Sequence, residues 1–225
     1  DIALLMDILT GATRFRTALP GTLTDTRIGV SDVYLSDLDP QIAARFSEAL
    51  DAIGRSGGQI NELRGPTRDE LHLANVVGMI LSRAEAAHAH DEAGTDIERC
   101  IPEVRDQLRE ARKVPAADHV RCMRIRAELY DRFMAAMDGV DFLVMPTSKV
   151  VAPLRDEAER FLLVLSENCI TWSLFGFPAI NVFAGMANGL PCGIQLVGRP
   201  GSDAALVAAA YAVEQALPKL PTWTP

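Results

Sequence analysis

Asp141-Phe142-Leu143-Val144-Met145-Pro146-Thr147 and Gly189-Leu190-Pro191-Cys192-Gly193-Ile194-Gln195-Leu196-Val197-Gly198 decide how this chain folds. Each holds a short unbroken apolar run, Phe142 to Met145 in the first and Gly193 to Val197 in the second, and Ala179 to Phe183 is a third of the same kind. All three are bounded by Gly or Pro. Runs this brief suit strands buried on both faces better than helices, which need ten or so residues to form a face. Such strands must be covered, and the alanine-rich stretch Asp203 to Ala216 reads as a helix lying on one side of their sheet.

Upstream, helices and strands interleave. Arg27 to Val33 is a short β-type run, after which Asp39-Pro40 supplies an N-cap and a proline at the first helical position. Ile42, Phe46, Ala49, Leu50 and Ile53 then recur at helical spacing as far as Gly54. Gly57-Gly58 marks a turn before a brief strand, Gln59 to Leu63. Thr67 and Glu70 stand at capping-box spacing, so a long helix is expected from there towards Ala93, with Gly94 as its stop. Pro102 and Pro115 each open a further helix, the second with Ile125, Leu129, Phe133 and Met137 on one face. The expected class is α/β, a mixed sheet flanked by helices, in one domain over 1–225. Residues 66–140 form a mainly helical region, and 141–217 a strand-rich core segment with its closing helix. Asp1 to Leu9 is an apolar helical run ending near Gly11. It has no methionine at its start and nothing before it to pack on, which reads as a continuation of preceding polypeptide.

Composition narrows the functions. The chain has 225 residues, 48% of them hydrophobic, enough for a large core. No stretch reaches the roughly 18 consecutive apolar residues of a membrane span, so no membrane partner is expected. A net charge of -8 argues against a nucleic-acid partner, since phosphate backbones call for a basic face. Cys100, Cys122, Cys169 and Cys192 are scattered, without a CxxC pair, as in a reduced cytoplasmic protein.

Independent catalytic machinery is not visible. There is no GxSxG elbow, no GxGxxG after a strand and no Walker loop. Ser148-Lys149 sits at a strand end, but neighbours on an extended chain point to opposite sides, which disfavours a serine-lysine pair. His88 and His90 lie about 200 degrees apart on a helix and make no metal site. No metal or organic cofactor is expected. Thr147, at the carboxyl end of its strand, is where an open α/β sheet places a residue that reaches substrate.

The strand segments also carry a resemblance. Asp141 to Thr147 is similar to the D-x-L-V-x-P-T strand of the amidase-signature family, Leu174-Phe175-Gly176-Phe177-Pro178-Ala179-Ile180 to its N-L-x-G-x-P-A-I, and Gly189 to Gly198 to its G-L-P-x-G-x-Q-L-V-G. More loosely, Asp1 to Gly11, Arg27 to Val30 and Glu85 to His88 resemble the family's next helix, strand and mid-helix A-E-x-x-x-H. Ser173 replaces a frequent asparagine and Ala184 a frequent proline, which alters the fine shape of the pocket. The resemblance implies the C-terminal half of a Ser-cisSer-Lys hydrolase. In that family a neutral lysine acts through a bridging serine on a nucleophilic serine, and backbone amides hold the oxyanion. No residue here matches those groups, so no catalytic residue is assigned.

What the resemblance implies for this half is a wall of the acyl pocket. Besides Thr147, it points to Trp172 and Phe175 in the segment Thr171 to Phe175 as substrate-binding, with core packing an equal alternative for both rings. Gln195 on a buried strand is expected to brace the structure by hydrogen bonds. The expected function is part of an amidohydrolase that splits carboxylic amides through a serine acyl-enzyme. Its partners are a small-molecule amide and an N-terminal half carrying serine and lysine, with a homodimer as a further arrangement. The alternative is a non-catalytic interaction subunit or an inactive truncated fragment.

Overall fold

The computed structural model describes residues 1–220. Among them five strands, β1 (Arg27–Val30), β2 (Gln59–Glu62), β3 (Phe142–Pro146), β4 (Ala179–Ala187) and β5 (Leu190–Gly198), make one sheet in the order β2-β1-β3-β5-β4. β1 runs parallel to β2 and to β3, whereas β5 is antiparallel to both β3 and β4, so the sheet is mixed. β1 stops at Val30, short of the expected Val33, because the chain tightens into a 3-10 turn over Asp32–Tyr34. β4 and β5 are longer than their apolar runs and meet at Asn188-Gly189, both at positive φ (51° and 77°), the backbone that a two-residue hairpin turn demands.

Eight α-helices accompany the sheet among the described residues: α1 (Ile2–Thr10), α2 (Arg14–Thr17), α3 (Pro40–Arg55), α4 (Arg68–Glu92), α5 (Pro102–Ala111), α6 (Ala116–Ala136), α7 (Ala158–Phe175) and α8 (Asp203–Ala216). Their starts follow the sequence signals. Asp39 caps α3 by accepting from the Gln41 N–H at 2.8 Å. The capping box of α4 is complete, Glu70 N–H to Thr67 Oγ1 at 3.2 Å and Thr67 N–H to Glu70 Oε2 at 2.9 Å. Among the described residues no helix is long and apolar enough to cross a membrane.

The helices divide into two layers, and β3 shows why. Phe142 and Val144 point to one core with Phe46, Ile53, Leu206 and Val213 of α3 and α8. Leu143 and Met145 point to the other, with Leu71, Phe133, Trp172 and Phe175 of α4, α6 and α7. Every residue of β3 is buried, as its unbroken apolar run requires. Side chains buried this completely are worth about 1.5–3 kcal/mol each, which makes β3 the energetic spine of the sheet.

Helices α1 and α2 form a smaller layer on α8 through Ala3, Phe15 and Val207. Asp7 ties them together: buried, it accepts from Phe15 N–H at 3.0 Å and Arg16 Nε at 2.8 Å. The opposite side of α1 is bare, with Leu4, Leu5, Ile8 and Leu9 between 47% and 70% exposed.

Candidate functional site

Parallel β1 and β3 bring their carboxyl ends side by side, and a polar cluster gathers around the chain that leaves β3. Thr147 N–H donates to Gly193 O at 3.0 Å, and Thr147 Oγ1 donates to Asn181 Oδ1 on β4. Gly193 makes room for this bond, because a Cβ there would stand 2.2 Å from Asn181 Oδ1 and displace that side chain. α7 supplies the other side. Asn168 Nδ2 donates to Pro146 O at 2.9 Å and to Tyr34 O at 3.3 Å, and Cys169 Sγ donates to Thr147 O at 3.4 Å. Gln195, buried on β5, donates through Nε2 to Asn168 O at 2.5 Å, a bracing bond between sheet and helix. Burial alone pushes the Cys169 thiol up, so it stays protonated at neutral pH.

The Ser148-Lys149 pair turns its two side chains to different partners. Ser148 Oγ donates to Val150 O at 2.9 Å. Lys149 Nζ lies 3.0 Å from Glu167 Oε2 and 3.4 Å from Ser36 Oγ, with its side chain only 4% exposed. Ser36 Oγ in turn donates to Val33 O at 3.1 Å. The remaining lysines are at the surface, Lys113 paired with Glu110 at 2.5 Å and Lys219 on Glu214 O at 3.2 Å.

Of the three residues expected to meet substrate, Thr147 belongs to this strand-end cluster. Trp172 and Phe175 lie instead inside the second core, 1% and 4% exposed. The Trp172 ring sits 5.7 Å from Tyr34, 5.8 Å from Phe133 and 5.8 Å from Phe177, and Phe175 is 5.0 Å from Phe133. Tyr34 is so deeply buried that its phenol is pushed far above its ordinary range and remains neutral.

Hollows lie on either side of the cluster. One, of about 470 Å³, lies between α4, α6 and α7 and is lined by Ser82, Glu85, Arg126, Cys169 and Ser173 among others. Arg126 forms part of its frame by donating from Nε to Leu174 O at 2.8 Å. Another, of about 350 Å³, runs along β4 beside α1 and α8 and includes Ile2, Asn181 and Tyr211. His88 pairs with Glu92 one turn away at 3.5 Å, and no group of three metal-binding side chains occurs among the described residues. Sequence reasoning missed Glu167, Asn168, Cys169 and Asn181. The signal for the first three was polar Ser166-Glu167-Asn168-Cys169 interrupting an apolar helix.

A family model described as Amidase matches residues 7–207. Among characterised proteins, 2-amino-5-chloromuconic acid deaminase of Comamonas testosteroni is 26% identical over 204 residues, covering 87% of this chain and 44% of its own length. The fatty acid amide hydrolase of Oryza sativa subsp. indica is 30% identical over 207 residues, covering 86% of this chain and 33% of its own. A crystal structure of an amidase superposes with a TM-score of 0.79 at 24% identity, over 96% of this chain and 50% of that one. A glutamyl-tRNA(Gln) amidotransferase component from Thermotoga maritima gives a TM-score of 0.70, also at 24% identity, over 88% of this chain and 44% of its own. The chain thus spans half or less of the length of these proteins.

Proposed function

The chain belongs to the amidase family, and from that premise we propose that it forms one wall of an amide-hydrolysing site whose serine nucleophile, relay, lysine base and oxyanion hole lie on polypeptide outside these 225 residues. The reaction is cleavage of a carboxylic amide to an acid and ammonia or an amine, through a serine acyl-enzyme. Thr147 and its strand-end neighbours face the acyl group, with Trp172 and Phe175 setting their position.

The observation that supports this most directly is the placement of Lys149. It is the one buried lysine and it stands beside a serine, yet its Nζ is directed to Glu167 and Ser36 while Ser148 Oγ bonds to Val150 O, so the two side chains do not form a pair. The bare apolar face of α1 supports it independently, since exposed apolar surface of this continuity is costly in water and is ordinarily covered. Acidic charge speaks for a small amide over a tRNA-linked one. The test is release of ammonia or amine from a panel of simple amides. We expect none from the pure chain, and turnover once it is joined to any source polypeptide that precedes Asp1 or copurifies with it. A second chain bearing no serine or lysine, with no turnover, would favour a non-catalytic interaction role instead.

A further inference from the structure

We propose that Lys149 is a positioning residue: through its ion pair with Glu167 it clamps the segment that follows β3, and with it the Thr147 wall, onto α7 and the turn after β1. The role in substrate binding rests on the reading of that wall given above; the clamp itself does not.

Lysine ordinarily lets its ammonium reach water along a flexible stem. Here the stem and head are buried, a placement that stands only if the charge is paired. Glu167 provides the pairing at 3.0 Å, and Ser36 Oγ, oriented by its own bond to Val33 O, turns a lone pair to Nζ at 3.4 Å. One side chain therefore joins α7 to the turn after β1. The backbone of the same residue joins a third element, because Lys149 O accepts the Asp39 N–H at 2.9 Å just before α3.

Two residues earlier, Thr147 is held by Gly193 O, Asn181 Oδ1 and Cys169 Sγ. Between these anchors Ser148 closes a local turn on Val150 O at 2.9 Å. The position of Thr147 is thus fixed from the sheet side by β4 and β5, and from the far side by Lys149. Loss of the ammonium leaves Glu167 facing an empty partner and frees the far side.

The test combines two readouts on Lys149→Met, Lys149→Arg, Glu167→Gln and the double variant Lys149→Met/Glu167→Leu. The first is amide hydrogen exchange at Asp39, Thr147 and Val150 in the folded chain. The second is KM and kcat for an amide in the catalytically complete protein. We expect Lys149→Met and Glu167→Gln to speed exchange at Asp39 and to raise KM about tenfold, with kcat within about threefold, the size of a misplaced binding group. Lys149→Arg, which keeps the charge, should lose less.

The double variant separates positioning from stability, because removing both charges restores stability to a buried site. We expect its melting temperature to recover while exchange at Asp39 stays fast and KM stays high. Unchanged exchange at Asp39 in a folded Lys149→Met protein would overturn the clamp. So would a double variant in which KM recovers along with stability. If Lys149→Met and Glu167→Gln do not fold, Lys149→Arg and the double variant carry the same comparison. If the complete wild-type protein cleaves no amide, the functional reading falls, and exchange at Asp39 still decides the clamp.

Discussion

Replacing Trp172 by alanine asks whether that ring is core or substrate wall. The ring is 1% exposed and meets three aromatic neighbours between 5.7 and 5.8 Å. Deleting a buried tryptophan costs about 3–5 kcal/mol, the cavity included. A partial offset comes from Nε1, which is buried without a hydrogen-bond partner among the described residues, so its removal relieves about 1 kcal/mol of desolvation. The net is about 3 kcal/mol. For a chain of this length each kcal/mol moves the melting midpoint by roughly 2–4 °C, giving a drop of about 6–12 °C. Thermal melting by circular dichroism measures it, with Trp172→Phe as the control. That control keeps a ring, removes the unpartnered N–H, and should stay within about 1.5 kcal/mol of the parent. A Trp172→Ala protein melting within about 2 °C of the parent would refute the core assignment and return the ring to the substrate wall.

Other expectations follow from the same geometry. Gly193→Ala forces Asn181 away, because the new methyl would lie 2.2 Å from its Oδ1; the Thr147 to Asn181 bond should be lost, measurable as faster exchange and a cost of about 1–3 kcal/mol in urea unfolding. Three carboxyls are held below the usual carboxylate range: Glu70 by the Thr67 N–H and then Arg132, Asp141 by the Arg27 guanidinium, and Asp7, where burial acts upward but Arg16 and the Phe15 N–H together outweigh it. Groups lowered on folding stabilise above their ordinary values and lose that contribution as pH falls through the lowered ones, so the melting midpoint should hold from about pH 7 to 5 and fall below about pH 4. Cys169, with its thiol pushed up by burial, should react with a neutral-pH thiol reagent at least about tenfold more slowly than free cysteine; fast labelling would place it in open solvent. The pure chain should bind a hydrophobic dye through α1, and Leu5→Gln with Ile8→Gln should abolish most of that signal without changing its circular dichroism.

The fold was legible where local physics decides it. Asp39-Pro40 and Thr67 to Glu70 announce their helices because caps are local bonds, and the apolar run of β3 announces burial on both faces because both helical layers touch it. The Asn188-Gly189 pair that turns β4 into β5 carried a hairpin signal that sequence reasoning missed, and the full length of β4 was not legible either, because an edge strand mixes exposed and buried positions. The site was less legible. Thr147 could be placed from the end of its strand, whereas the partners of Lys149 are Glu167, 18 residues on in a different element, and Ser36, 113 residues away. Sequence spacing cannot show such a pairing, and the aromatic character of Trp172 and Phe175 fits a core as well as a pocket until their neighbours are known.

The most direct trial is to treat the pure, folded chain with a fluorophosphonate that bonds covalently to activated serines, and to map any adduct by mass spectrometry. If the nucleophile lies on other polypeptide, as proposed, then with Lys149 held by Glu167 the expected result is no serine adduct, at Ser36 and Ser148 included. Stoichiometric labelling of a serine within these residues, accompanied by amide turnover, would contradict it.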